Sequence, residues 1–86
     1  MNKLDIYVSS GCLSCRRARE IASSLKGMYP GVRVEVVDAE GAPEGSLPES
    51  VVAVPAYVLD GTLISLGNPN PVTLREQLAA LTLGRA

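Results

Sequence analysis

The sequence predicts an α/β fold: one domain spanning residues 1–86, with a four-stranded mixed sheet and the element order β-α-β-(loop or short helix)-β-β-α. Three observations carry this expectation. Apolar residues change from a strand-like run to a helical period across Gly11; Asp60-Gly61 sits between two apolar runs; and leucines recur at helical spacing after Pro71.

Residues 3–9 form the first strand. Leu4, Ile6, Tyr7 and Val8 make its apolar run too continuous for a half-exposed strand, so it belongs in the middle of the sheet. Residues 13–26 follow as an amphipathic helix, with Cys15, Ala18, Ile21, Ala22 and Leu25 on one face, Arg17, Glu20 and Ser24 opposite, and Gly27 as its stop. Pro30-Gly31 supplies a turn. Val32, Val34 and Val36 then alternate with Arg33 and Glu35 in a strand that ends near Asp38. Strand, helix and strand make a βαβ unit, whose right-handed crossover starts the sheet parallel.

Residues 39–50 have the composition of a loop, in which Ser46 and Glu49 offer a cap for one helical turn. The Asp60-Gly61 pair predicts a two-residue hairpin that pairs Leu59 with Thr62, Val58 with Leu63 and Tyr57 with Ile64, closed by Gly67. From Val72 onward Leu74, Leu78 and Leu81 mark a final helix running to Gly84. Two starts compete for it: a Thr73/Glu76 capping box, and Asn70 followed by Pro71 one turn earlier.

The core must be aliphatic, because the 86 residues include three Tyr but no Phe and no Trp, although 47% are hydrophobic. Eight basic and nine acidic residues leave a net charge of -1, which supplies no field for gathering nucleic acid or an anionic membrane, so neither is expected as a partner. The start, MNKLDIYVSS, holds too short an apolar run for a signal peptide. No stretch approaches the roughly 18–20 residues of a membrane span. The expected location is therefore the cytoplasm, where structural disulfides are rare and a close cysteine pair is more often catalytic, redox-sensing or metal-binding.

The only cysteines, Cys12 and Cys15, stand at the junction of the first strand and the first helix. Cys12 falls at the helix N-terminal edge, where unsatisfied N–H groups and the positive end of the macrodipole favour a thiolate. Arg16, about one turn on, pushes the same way, and cysteines so placed titrate at about 3.5–7.5 rather than about 8.5. Cys12 is the expected nucleophile. Cys15 starts the apolar face, so it is expected as a buried thiol within disulfide reach, suited to resolve a mixed disulfide formed at Cys12. The chain has no His, so no imidazole assists. Arg17 and Arg19 read as a solvated helix face, and Asp5 as a surface charge rather than a buried proton acceptor.

Cys12-Leu13-Ser14-Cys15 after a first strand, with Val54-Pro55 opening a hairpin about 40 residues later, resembles the thioredoxin superfamily, and the compact order is most similar to its small glutaredoxin-like branch. The resemblance runs from Lys3 to Leu83. It implies a dithiol–disulfide oxidoreductase with no bound cofactor, acting on protein or small-molecule disulfides and re-reduced by a thiol or a reductase. It also implies a cis Val54–Pro55 bond, with Val54 and Pro55 binding an extended substrate segment. Thioredoxins proper carry Trp before the first Cys and Gly-Pro between the two, where this chain has Gly11 and Leu13-Ser14. The glutathione-binding Thr-Val-Pro and Gly-Gly of glutaredoxins read here as Ala53-Val54-Pro55 and Gly67-Asn68.

The rival reading is a ferredoxin-like carrier domain in which the two thiolates hold a soft metal such as Cu(I) or Hg(II). That fold ends in a strand and has no use for Val54-Pro55, whereas residues 72–83 read as a helix. A closed zinc or iron–sulfur site needs about four ligands, so two Cys would have to be shared across a dimer.

Overall fold

In the computed structural model, which describes residues 2–43 and 45–83, the first strand β1 (Asn2–Val8) leads into helix α1 (Leu13–Leu25) and strand β2 (Val32–Asp38). Strands β3 (Ala56–Leu59) and β4 (Thr62–Leu66) and helix α2 (Pro71–Leu83) complete the order. The sheet runs β2-β1-β3-β4, with β1 parallel to β2 and the other neighbours antiparallel. β1 is central, as its unbroken apolar run requires: Leu4, Ile6 and Val8 are fully buried.

Strand alternation divides the sheet between two apolar layers. Leu4, Ile6, Val8, Val34 and Tyr57 face α1, through Cys15, Ala18, Ala22 and Leu25, and α2, through Leu74 and Leu78. Both helices therefore cover one face. On the other face, Tyr7, Ala56 and Val58 meet Val37 and Leu63 from the sheet and Leu47, Val51 and Val54 from the connection between β2 and β3. That connection has no helix among its described residues. The expected link from Ser46 towards Glu49 is replaced by a turn in which the Ser46 N–H and hydroxyl both donate to the Pro43 carbonyl, at 3.0 and 2.6 Å.

The hairpin turns where expected, with Asp60 at φ 50 and Gly61 at φ 84. Two left-handed residues in succession are what a tight turn matched to strand twist demands, and Asp and Gly tolerate them best. Leu59 pairs with Thr62 and Val58 with Leu63, but Tyr57 lies opposite Ser65 rather than Ile64. A bulge places Ile64 as an extra residue in β4. It still packs on the helix-side core, which a simple alternating ladder would also have asked of it, so the insertion costs no apolar contact there.

α2 starts at Pro71. The Asn70 side-chain oxygen accepts from the Val72 and Thr73 N–H groups at 2.8 and 3.3 Å, and the Pro71 ring sits at the first helical position, where no N–H is needed. The Asn70-Pro71 start is thus the one the chain uses. The chain ends its described order in this helix, where the ferredoxin-like rival needs a strand. Among the described residues no helix is long and apolar enough to cross a membrane.

Candidate active site

β1 delivers the chain from the centre of the sheet into Ser9, Ser10 and Gly11, and Gly11 turns it with φ 72, a conformation that costs a side-chain-bearing residue more than glycine. This short loop is tied down from across the sheet. The Ser10 N–H and hydroxyl both donate to Glu40 Oε1 at 2.8 Å. Glu40 is itself set by the end of β2, where Asp38 Oδ1 accepts from the Glu40 N–H at 2.9 Å and the Ala39 N–H donates to the Val8 carbonyl at 2.8 Å. The segment ahead of the first cysteine is therefore anchored at both its backbone and its side chain.

Cys12 is the N-cap of α1, with extended backbone, and its Sγ accepts from the Cys15 N–H at 3.0 Å. Its sulfur takes the place that a Ser or Asp oxygen holds at other helix starts. Cys12 and Cys15 are joined as a disulfide, their Cα atoms 5.1 Å apart. Their environments differ sharply. Cys15 is 1% exposed among the residues facing the sheet, whereas Cys12 is partly open. Leu13, between them, is 83% exposed.

Arg16 and Arg19 line the recess that holds Ser9, Ser10, Gly11, Cys12 and Leu13. Arg16 lies where its spacing put it. Arg19 is exposed, as its solvated-face reading expects, and also borders this recess, because residues three apart on a helix are neighbours. Arg17 fits the solvated reading: it pairs with Glu20 at 3.3 Å, both side chains largely exposed. Among the described residues, neither Arg16 nor Arg19 has an ion-pair partner.

The Val54–Pro55 peptide bond is cis. Pro55 is buried, and its carbonyl accepts from the Gly67 N–H at 2.7 Å. Val54 and Cys12 pack against the same helix-side core. Val54 also lines a second recess with Ala39, Glu40, Leu47, Val51 and Val52, and Ser9 is common to this recess and the one around Cys12. The two predicted halves of the site thus meet at Ser9.

Asp5 lies on the sheet face away from the helices, since the alternation that turns Leu4 and Ile6 towards α1 turns Asp5 away. Its side chain is 17% exposed, more covered than a surface charge, with Oδ1 buried without a hydrogen bond and Lys3 Nζ at 3.6 Å. It takes no part in the site around Cys15.

A second tether escapes any local reading of the sequence. The Tyr57 hydroxyl donates to Asn68 Oδ1 at 2.9 Å, and Asn68 Nδ2 donates to the Ser14 carbonyl at 3.0 Å. A core residue of β3 is thereby linked to the turn between the two cysteines. Burial pushes the Tyr57 phenol up to about 12, against a smaller downward pull from Arg17.

No family model matches the chain. It is 25% identical over 77 residues to a thioredoxin of Methanocaldococcus jannaschii, a match that covers 88% of this chain and 91% of that protein. Among solved structures, mitochondrial thioredoxin 3 of Saccharomyces cerevisiae in its oxidised form superposes with a TM-score of 0.70 at 27% identity, over 91% of this chain and 76% of that one. AhpF, a component of the alkylhydroperoxide reductase from Enterococcus faecalis, gives a TM-score of 0.74 at 28% identity over 90% of this chain, which spans only 37% of that much longer protein. With a Cys-x-x-Cys disulfide at the start of α1, the chain is thus similar to thioredoxins in sequence and in fold over 88–91% of its length.

Proposed function

We propose that this chain, a thiol–disulfide oxidoreductase, works through Cys12 as nucleophile and Cys15 as resolving thiol. In the reduced chain the Cys12 thiolate attacks one sulfur of a substrate disulfide. A Cys12–substrate disulfide forms, the substrate S–S bond breaks, and the departing sulfur leaves as a thiolate that takes up a proton from water. Cys15 then gives up its proton and attacks Cys12 Sγ, forming the Cys12–Cys15 disulfide and releasing the second substrate sulfur as a thiolate, which is protonated in turn. Two electrons pass from the chain to the substrate; of the two protons taken up by the released sulfurs, one balances that given up by Cys15 and the other comes from water, and no bound cofactor is required. A thiol or a reductase returns the chain to its dithiol form.

The observation that carries this assignment of roles is the difference between the two sulfurs. Cys12 is partly open at a helix N-cap with an N–H donor on its sulfur, and Cys15 is buried. A hydrogen bond to the charged form and a nearby Arg16 both favour thiolate at Cys12, while burial disfavours it at Cys15. Val54 lines the neighbouring recess, and the buried Pro55 behind it holds the chain at the entry to β3. Val54 lies just before β3, where an extended substrate segment can add its backbone beside the sulfurs. The substrates are disulfides of proteins or small molecules, handled in the cytoplasm.

Trapping tests the roles. Reduced Cys15→Ser chain mixed with a disulfide-bonded peptide should accumulate a covalent adduct at Cys12, seen by intact mass. Reduced Cys12→Ser should accumulate none. Adducts at Cys15 in preference to Cys12 would reverse the assignment.

A further inference from the structure

Arg16 stands in the first turn of α1, the wrong end of the helix for a cation. Cations belong near a helix C-terminus, and this helix has no acidic residue in its first turn to offset them. Arg16 and Arg19 add a like-charge pair at three-residue spacing, a further destabilising arrangement. Arg17 is neutralised by Glu20, but Arg16 and Arg19 are not paired by any described carboxylate. Glu40, which holds the loop ahead of Cys12, is occupied by the Ser10 N–H and hydroxyl and lines the other recess. Two guanidinium groups and the Cys12 sulfur therefore share one recess with no counter-charge among the described residues.

The opposite side of Cys12 has a different character. Beyond Ser9 the recess is walled by Leu47, Val51, Val52 and Val54, apart from the Glu40 carboxylate. A substrate segment crossing the disulfide meets cations at one end and an apolar, weakly anionic wall at the other. The chain as a whole carries a net charge of -1, so overall charge does not attract acidic molecules, and any such preference has to arise in the recess itself.

Resting on the oxidoreductase reading above, we infer that the substrate is a protein segment in which the reacting cysteine is flanked by acidic side chains, and that Arg16 and Arg19 hold the acidic flank. Charge complementarity sets the choice. A basic flank would bring like charges together in the recess, and a neutral one would leave both guanidinium groups with water alone.

The test is the rate at which reduced full-length chain reacts with three disulfide peptides that differ only in the flanking residue: Glu, Gln or Lys. At about 20 mM ionic strength the Glu peptide should react about tenfold faster than the Lys peptide, with Gln between, and the ratio should shrink towards unity near ~0.5 M salt. In Arg16→Gln/Arg19→Gln the ratio should collapse even at low salt. In Arg33→Gln/Arg75→Gln, which removes the same charge elsewhere, it should persist. Using the ratio cancels any effect of Arg16 on the reactivity of Cys12 itself. Equal rates across the three peptides, or a ratio that survives in Arg16→Gln/Arg19→Gln, overturns the inference while leaving the oxidoreductase reading in place. Failure of all three peptides to react overturns both.

Discussion

Removing the Tyr57 hydroxyl should expose how much the link from β3 to the cysteine turn is worth. Tyr57 is 0% exposed, so Tyr57→Phe keeps the ring and its packing and deletes only the donor to Asn68. Asn68 is exposed, so water replaces the lost partner and the cost is a net hydrogen bond, about 1 kcal/mol. For 86 residues at ~2.1 cal/mol/K each, the unfolding entropy is about 180 cal/mol/K, so the midpoint should fall by about 5–6 °C. Asn68→Ala is predicted to be worse. It removes the bond to the Ser14 carbonyl as well, and it leaves a buried hydroxyl with no acceptor, a penalty of about 1–3 kcal/mol by itself. In the Tyr57→Phe background that penalty is absent, so Asn68→Ala should then cost only about 1 kcal/mol. Thermal unfolding of the four disulfide-form proteins by circular dichroism completes the cycle. Equal costs of Asn68→Ala in the two backgrounds, to within ~0.5 kcal/mol, would refute the linked network.

Two pH limbs follow from the same structure. The Tyr57 phenol is raised from 10.0 to about 12 by burial, so its contribution is complete below pH ~10 and is lost as pH rises to about 12, on the order of 2–3 kcal/mol in all. Tyr57→Phe should flatten that alkaline limb in a plot of melting temperature against pH, and a late phenolate absorbance near pH ~12 should vanish with it. At the other end, Asp60 is held below its ordinary 3.8, first by the Asn2 amide at 2.6 Å and then by the Lys3 N–H at 2.8 Å. Its contribution is present above that ordinary value and is lost as pH falls through the lowered one. Asp60→Asn, which still tolerates the left-handed turn, should therefore lose stability at neutral pH and show a shallower decline in acid. An unchanged acid limb would mean that the hairpin tip does not contribute.

Much of the fold was legible because it is written in local period. The switch at Gly11, the Asp60-Gly61 turn and the apolar face from Cys15 to Leu25 each depend on residues a few positions apart. The start of α2 was legible as a choice of two, settled by Asn70 reaching two N–H groups at once. The bulge at Ile64 was not, because LIS alternates in no way that marks an inserted residue. The tethers of the site were hidden for another reason. Glu40 meets Ser10 across 30 positions and Asn68 meets Ser14 across 54, and a single polar residue in a loop has no period to betray its partner. Arg19 could have been found, since its spacing from Arg16 already puts the two side by side.

The central claim is that one sulfur is poised as a thiolate and the other is held back. The direct measurement is the rate of iodoacetamide labelling at each cysteine of the reduced chain as a function of pH, resolved by peptide mass. Cys12 should label with a midpoint well below the ~8.5 of an ordinary thiol, with Cys15 lagging at every pH. A Cys12 midpoint at or above ~8.5, or faster labelling at Cys15, would contradict the account.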